Sequence, residues 1–326
     1  MSKRYAVIDI GTRGVRLLIA DASPQGIDRV VCSTGEIGEL GRGMKSTGRL
    51  SAESIEKVKE IVSGYVEICK QHQVNELVAT GTEVIRAAKN RDVFLKKLAP
   101  VVEVQVLKPQ EEALFSFLAA TDAFDDSLRL GDTALVVDQG GGSVELSCGS
   151  IEEGNAFVLQ GFDSLRVGTV ALTKLLTKAK TLKDGYHQVM DSVRTAVENH
   201  QKFNALKEKE PTTVFGLGSA ITDLAKQCIG GGKRKGIALK GMHGLFISKK
   251  DIEMVVLRTL DILAKSNFKN SELAVDSNYA TMFCGILTYH YVLRKYGGKG
   301  VVVNRHGLSY GVLLWSAGKN AQIDLT

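Results

Sequence analysis

Two segments of the sequence, about 130 residues apart, share one pattern. Residues 5–20 read YAVIDIGTRGVRLLIA and residues 133–148 read TALVVDQGGGSVELSC. In each segment an apolar run reaches an aspartate, a glycine-containing turn follows, and a second apolar run begins, which predicts a β-hairpin. The recurrence predicts two domains, each opening with a hairpin that carries a carboxylate at the end of its first strand.

Strands and helices alternate behind each hairpin. In the first half, a helical repeat of apolar residues begins after the predicted N-cap Ser51, and the buried strand VNELVAT follows it. With 326 residues, 44% of them hydrophobic, the chain is long enough for two cores. The alternation predicts the α/β class with mixed sheets. We place the domains at 1–125 and 131–326, with the polar segment 125–132 as a hinge and the last helical segment as a candidate to pack back on the first domain.

Composition and charge exclude several classes of protein. No apolar stretch reaches 18 residues and Asp9 interrupts the first apolar run, so neither a membrane span nor a secretion signal is predicted, and a cytoplasmic location is expected. The five cysteines are scattered without a C-x-x-C pair, which favours structural thiols. The mild net charge of +6 indicates neither a membrane nor a specific nucleic acid as partner. The basic segment 229–244 is interpreted as a solvent-exposed loop, with attraction of a polyanion as the alternative.

The two predicted turns suit phosphate binding. Consecutive backbone N–H groups in a glycine-rich turn can point into one concavity, where no side chain blocks an oxyanion. A carboxylate at the strand end is a hard oxygen ligand for Mg²⁺, and Asp9 and Asp138 occupy those positions. The glycines would serve either the dihedral angles of the turn or the approach of the oxyanion. A twisted hairpin with a convenient glycine would explain the first turn alone, whereas both turns together predict two lobes facing a phosphate-binding cleft.

Six segments carry a resemblance to a known family. In chain order they read LGRGMKSTGRLSAESIEK, IRAAKNRDVFL, QEEALFSFLAA, LVVDQGGGSVEL, SLRVG and FGLGSAITDLA. With these motifs the chain resembles the exopolyphosphatase/guanosine pentaphosphate phosphohydrolase (Ppx/GppA) family of the actin-like ATPase superfamily over nearly its whole length. The resemblance implies two actin-like (ribonuclease H-like) α/β domains with mixed sheets flanking the phosphate-binding cleft, in the short two-domain form of the family.

The resemblance also implies an activity and the residues that carry it. It implies a Mg²⁺-dependent phosphohydrolase that cleaves the terminal phosphoanhydride of inorganic polyphosphate, of guanosine pentaphosphate (pppGpp), or of both. Glu112 matches the family's catalytic glutamate, which would deprotonate the attacking water. Without the resemblance, Glu112 would be interpreted as a solvent-exposed helix residue like Glu111. The implied metal ligands are Asp9, Asp138 and Glu145, and the implied phosphate-binding residues are Gly11, Thr12, Arg13, Arg86, Gly140, Gly141, Gly142, Ser143 and Gly218. A homodimer is left open.

The chain departs from the family's pattern around these motifs. Arg13 stands where the family usually has asparagine, Arg166 stands where it has proline, and Arg86 matches the family's arginine only if two residues are inserted before it. In the C-terminal motif, Ser309 and Tyr310 replace an arginine and a glutamate. Two alternatives therefore remain. The first is a catalytically weak or inactive sensor of the same fold that binds a phosphorylated nucleotide or polyphosphate. The second, less favoured, is a sugar kinase, because the segment DIGTRGVR also resembles the opening motif of sugar kinases.

Overall fold

The chain forms two compact units. The structure is a computed structural model that describes residues 2–124, 128–152, 156–199, 210–230, 239–265, 277–319 and 322–323. One unit holds residues 1–122 and 306–321, and the other holds residues 123–305 and 322–326. The first stretch of the first unit thus ends at residue 122, three residues before the predicted domain boundary at 125. The segment 306–321 belongs with the first unit, although we placed it in the second domain, 131–326.

The first unit is a mixed five-stranded sheet with helices on both faces. Its strand order is β3-β2-β1-β4-β5, with β1 antiparallel to β2 and parallel to β4. The strands are β1 (Lys3–Ile10), β2 (Gly14–Ser23), β3 (Gly26–Ile37), β4 (Glu76–Gly81) and β5 (Val104–Val106). The helices are α1 (Met44–Thr47), α2 (Ala52–Gln71), α3 (Glu83–Arg86), α4 (Arg91–Leu98), α5 (Pro109–Asp122) and the last helix of the chain, α11 (Leu308–Ser316).

Helix α2 covers one face of this sheet. Its N-cap is Ser51, as predicted, whose hydroxyl oxygen accepts a hydrogen bond from the Ser54 N–H at 3.1 Å. Its buried stripe, which includes Val58 and Val62, packs in one core with Ile8 of β1 and with β2. Helix α11 packs on α5, β1 and β2. Because strand side chains alternate between faces, the residues of β1 and β2 that do not face α2 point to the side of α5 and α11.

The second unit repeats this arrangement and extends it. Its sheet has the order β10-β11-β9-β6-β7-β8-β12. The strands are β6 (Thr133–Gln139), β7 (Val144–Glu152), β8 (Ala156–Leu165), β9 (Thr213–Leu217), β10 (Phe246–Ser248), β11 (Gly300–Val303) and β12 (Gln322–Ile323). The helices are α6 (Thr169–Lys178), α7 (Leu182–Glu198), α8 (Ser219–Gly230), α9 (Lys249–Lys265) and α10 (Ser277–Tyr296).

The two sheets share a common strand order. The run β8-β7-β6-β9-β11 in the second sheet corresponds to β3-β2-β1-β4-β5 in the first. In both, the opening hairpin is antiparallel and its first strand is parallel to the next strand of the core. The predicted α/β class with two mixed sheets is confirmed. In the described ranges, no helix is long and apolar enough to cross a membrane.

Candidate active site

The two hairpin turns are built alike. In the first turn the Gly11 N–H donates to the Gly14 carbonyl at 2.9 Å, and in the second the Gly140 N–H donates to the Ser143 carbonyl at 3.0 Å. Each turn begins at a glycine two residues after the aspartate of its hairpin. Asp9 has Arg16 as its cross-strand partner, whereas Asp138 has Glu145. The turns therefore share their backbone, and the residues opposite the aspartates differ in charge.

The carbonyl groups of the second turn are bonded to the start of α6. The Thr169 N–H donates a hydrogen bond to the Gly140 carbonyl at 3.0 Å, and the Val170 N–H donates to the Gly141 carbonyl at 3.0 Å. The Gly168 N–H donates to the Gly142 carbonyl at 3.1 Å. A peptide's N–H points opposite to its carbonyl, so the next N–H groups along the turn point away from α6. Within the described part of the chain, the N–H groups of Gly141, Gly142 and Ser143 donate to no backbone carbonyl. Successive backbone donors of this kind are the groups with which a glycine-rich turn can bind phosphate oxygens.

Close packing of the second turn on α6 depends on Gly168. A Cβ on Gly168 would lie 2.3 Å from the Gly142 carbonyl carbon and 2.4 Å from the Gly141 oxygen. Any other residue here would push the turn away from the helix. The first turn is held in a similar way, since the Thr12 and Arg13 carbonyls accept the N–H groups of Gly41 and Glu39 at 2.9 Å.

The glycines of the second turn do not serve the backbone conformation that favours glycine. Gly218 has a left-handed backbone with a φ of 94°, whereas φ is not positive at Gly140, Gly141 or Gly142. Of the two reasons for glycine predicted from the sequence, positive dihedral angles are therefore excluded at these three positions, and close approach remains. Gly218 needs glycine for its positive φ and because a Cβ there would lie 2.4 Å from the Gln139 oxygen.

Three oxygen-bearing side chains lie in one row beside the second turn. Asp138, Glu145 and Ser164 are direct cross-strand partners on β6, β7 and β8, so they share one face of the sheet. Glu145 is buried, and its Oε1 accepts the Ser164 hydroxyl at 2.9 Å. Two carboxylates placed directly opposite repel each other unless a cation lies near them. The donor set fits Mg²⁺, which proteins commonly hold with one or two carboxylates.

The three predicted metal ligands come from two hairpins. The described residues contain no group of three or more His, Cys, Asp or Glu side chains that could hold a metal ion. Asp138 and Glu145 lie on one hairpin of the second unit, and Asp9 belongs to the first unit. The second hairpin therefore provides two of the three predicted metal ligands, Asp138 and Glu145.

Tyr289 braces the strand ends next to Asp138. Its hydroxyl lies 3.1 Å from the carbonyl of Val137, which precedes Asp138 in β6, and 2.6 Å from the carbonyl of Leu217, which ends β9. Burial raises the pKa of Tyr289 well above its ordinary value, and the charge of Asp138 raises it further, so the phenol remains a donor. Sequence analysis missed this residue, because nothing in its helical segment distinguishes it from core.

Glu112 is buried and paired with Arg86 in the first unit. Only 4% of Glu112 is exposed, and its Oε1 accepts a hydrogen bond from the Arg86 guanidinium, which also donates to the Leu107 carbonyl. Glu111 caps its own helix instead, by accepting the Lys108 N–H at 2.7 Å. The interpretation of Glu112 as a solvent-exposed residue is therefore wrong. Arg86, whose match needed an insertion, does reach the predicted catalytic glutamate.

The crossing of α11 and α5 fixes the surroundings of Glu112. A Cβ on Gly311 would lie 1.8 Å from the Phe115 carbonyl oxygen, so the two helices touch at their backbones. Phe115 is one turn after Glu112, and Gly307 is one turn before Gly311. Helix α11 therefore packs against α5 one turn beyond Glu112.

Arg16 also faces the start of α11. It is exposed on β2, and its Nη1 would lie 3.9 Å from a Cβ placed on Gly307. Asp9, its cross-strand partner, shares its face of the sheet. Sequence analysis missed Arg16, although a lone cation within the apolar strand GVRLL was the available signal.

Burial keeps the thiols of four cysteines protonated. Burial raises the pKa of Cys148 and of Cys284 to about 12, and that of Cys69 and of Cys228 to about 11. These four thiols are therefore protonated at neutral pH, and the thiolate is the reactive form.

Comparison with known proteins identifies the family of the chain. Residues 18–274 match the Ppx/GppA phosphatase family. Exopolyphosphatase 2 of Mycobacterium tuberculosis is 33% identical over 181 residues, which cover 52% of this chain and 54% of that protein. The guanosine-5'-triphosphate,3'-diphosphate pyrophosphatase of Aliivibrio fischeri is 25% identical over 276 residues, which cover 84% of this chain and 50% of that protein. The chain thus spans about half the length of these curated relatives.

Solved structures match over nearly the whole chain. An Aquifex aeolicus member of the Ppx/GppA protein family is 26% identical with a TM-score of 0.75, covering 97% of this chain and 98% of that one. An exopolyphosphatase from Cytophaga hutchinsonii is 21% identical with a TM-score of 0.79, covering 98% and 99%, and shows the same fold. The predicted fold class, two actin-like α/β domains with mixed sheets, is confirmed.

Proposed function

Because the chain belongs to the Ppx/GppA phosphatase family, we propose that it is a phosphohydrolase that cleaves terminal phosphoanhydride bonds. The second turn is the observation that carries this proposal. Its three carbonyls are bonded to α6, and the N–H groups of Gly141, Gly142 and Ser143 face the other way. Backbone donors fixed in this manner favour the charge that develops on a transferring phosphoryl group and need no rearrangement during the reaction.

Each side chain has a distinct role in this proposal. Glu112 orients and deprotonates the attacking water, and the Arg86 guanidinium holds its carboxylate in place and balances its buried charge. Asp138 and Glu145 would hold Mg²⁺, with Ser164 positioning Glu145. The metal would supply positive charge to the phosphate oxygens. Asp9, Gly11, Thr12 and Arg13 would contribute from the first hairpin. Gly218 allows the chain after β9 to pack closely on Gln139, the residue before the second turn.

The substrate is proposed from the relatives. One is named for exopolyphosphatase activity and another for the pyrophosphatase reaction on guanosine-5'-triphosphate,3'-diphosphate. We propose inorganic polyphosphate or pppGpp, since both end in the phosphoanhydride that this chemistry cleaves. Half of the basic segment 229–244, predicted as a possible polyanion contact, lies outside the described residues, at 231–238.

A binding protein without turnover is the second candidate. Ser309 is buried at the start of α11 and Tyr310 stacks on His306, so neither replaces the charge of the arginine and glutamate that the family motif carries. Loss of those charges would weaken transition-state stabilisation more than ground-state binding.

One assay separates these functions. Purified protein with Mg²⁺ is given long-chain polyphosphate, pppGpp or ATP, and released phosphate is measured beside calorimetric binding. A hydrolase releases phosphate from polyphosphate or pppGpp, and release is lost in Glu112→Gln. Binding without release supports the sensor. Phosphate transfer from ATP to an added sugar would contradict both and favour the kinase.

A further inference from the structure

His306 and Tyr310 form a parallel aromatic stack at the start of α11. Their ring centroids are 4.0 Å apart and their planes differ by 6°. Both residues are half-buried, so the pair contributes to the surface of the first unit. Tyr310 stands where the family's C-terminal motif has a glutamate. The exchange puts a flat ring where the family pattern has a negative charge.

A guanidinium lies beside the stack. Gly307 directly follows His306 in the chain and lies three residues before Tyr310. The Arg16 Nη1 would lie 3.9 Å from a Cβ placed on Gly307. Arg16 is exposed. An aromatic face with an adjacent guanidinium offers stacking to a ring and positive charge to a phosphate, which are the two contacts that a nucleotide needs.

The helix that carries Tyr310 packs on the helix that carries the proposed general base. Tyr310 directly precedes Gly311, whose backbone touches Phe115, and Glu112 lies one turn before Phe115 on α5. One helical turn rises about 5 Å, so the route from Tyr310 to Glu112 through this contact is short. All these residues belong to the first unit.

We propose that the His306–Tyr310 pair, defined here as the aromatic shelf, stacks the base of a nucleoside polyphosphate whose phosphates are hydrolysed at the site described above. This inference rests on the proposed phosphohydrolase function and assigns the shelf to substrate choice. Every base has a π face, whereas inorganic polyphosphate has no ring and gains nothing from the shelf. The shelf therefore favours a nucleotide over an inorganic chain with the same number of phosphates.

The test compares two ligands that differ in the nucleoside. The β,γ-imido analogue of GTP and inorganic diimidotriphosphate each present three phosphorus atoms and resist hydrolysis. Dissociation constants are measured by calorimetry with Mg²⁺ for the wild type, Tyr310→Leu and Tyr310→Phe. Phe246→Leu is the matched control, because it removes an exposed aromatic ring from β10 in the second unit. Circular dichroism checks that each variant is folded.

The ratio of the two dissociation constants is the readout. Stacking one base on an aromatic ring contributes enough for the nucleotide to bind roughly 10-fold tighter or more in the wild type, in Tyr310→Phe and in Phe246→Leu. In Tyr310→Leu we expect the ratio to fall to nearly one. A ratio near one in the wild type, or an unchanged ratio in Tyr310→Leu, overturns the shelf and leaves the proposed hydrolase intact. Binding of neither analogue would contradict the proposed function itself and the shelf with it.

Discussion

Arg86 donates a hydrogen bond to the buried carboxylate of Glu112 and thereby joins α3 to the first turn of α5. The side chain of Glu112 is 5% exposed and that of Arg86 is 24% exposed, so little solvent surrounds the carboxylate. A carboxylate buried to this extent needs a compensating cation, and removing one partner of such a pair typically costs about 3–5 kcal/mol. The pair therefore fixes the position of the proposed base and makes its substitution a matter of stability as well as of chemistry.

Replacement of Glu112 by glutamine is the sharpest test of its role. Glu112→Gln keeps an oxygen that accepts from Arg86 but cannot take a proton from water, so turnover should fall by about 10²- to 10⁴-fold while ligand binding stays within a few-fold. Initial rates and calorimetric binding measure the two effects. The control is Glu111→Gln, which alters the neighbouring helix cap and should retain activity. Equal activity in Glu112→Gln and wild type would remove Glu112 from catalysis.

Replacement of Asp138 by asparagine tests the metal. A neutral amide is a weaker ligand for a hard cation, so Asp138→Asn should raise the Mg²⁺ concentration that gives half-maximal activity. Activity is titrated with Mg²⁺ for both proteins after EDTA treatment. Asp163→Asn is the matched control, because Asp163 lies on β8 next to Ser164 but on the other face of the sheet. Activity that survives EDTA unchanged would contradict the proposed metal site.

A valine at Gly141 tests the cradle of backbone donors. Gly141 does not have a positive φ, so Gly141→Val does not meet the penalty of left-handed backbone, and its bulk should act on the approaching oxyanion. We expect calorimetric affinity for a triphosphate to be lost while the circular dichroism spectrum stays native. Gly64→Val provides the control, because no atom lies within 4 Å of a Cβ at Gly64. Native-like affinity in folded Gly141→Val would contradict the proposed cradle of backbone donors.

Alanine at two helical glycines should change stability in opposite directions. In Gly311→Ala the new methyl group collides with the Phe115 backbone, so α11 must shift, which typically costs about 1–3 kcal/mol. In Gly64→Ala the methyl group meets nothing within 4 Å, and alanine stabilises a helix by up to about 1 kcal/mol relative to glycine. Urea denaturation measures both. Equal stability of Gly311→Ala and wild type would mean that the α5–α11 contact can relax freely.

His290 should make stability depend on pH. Burial lowers its pKa from the ordinary 6.5, Arg294 and Lys249 lower it further, and Glu253 opposes them. Below about pH 6.5 the unfolded chain therefore binds a proton that the folded chain excludes. The stability associated with neutral His290 is full above this pH and is lost as the pH falls through 6.5 toward the lower folded pKa. His243, whose pKa burial also lowers, acts in the same direction.

The measurement is the free energy of unfolding in urea at pH 5.5 and 7.5. His290→Gln should reduce the difference between the two values, and the part due to His243 should remain. His187→Gln, at an exposed position of α7, is the control and should leave the difference as in the wild type. A difference that is the same with and without His290 would contradict the prediction.

The edge strand β3 shows where prediction from pattern stops. Sequence analysis predicts the hairpin β1–β2 but not β3, which runs from Gly26 to Ile37. Every residue of β3 is exposed or half-buried, so the strand lacks the regular alternation that burial of one face produces. Its pairing with β2 depends on hydrogen bonds to a strand that is already in place.

Local sequence determines the two hairpins, the aspartates at their strand ends and the helix start at Ser51, because apolar alternation, glycine turns and N-caps act between residues close in the chain. Tertiary structure alone decides the rest of the candidate site. Arg86 meets Glu112 across 26 residues, Gly168 packs on the turn at Gly142, and Gly311 brings α11 to Phe115 from the far end of the sequence. Such contacts depend on how whole elements pack together. The residues next to each position in the sequence carry no record of that packing, so only the folded chain shows which side chains meet.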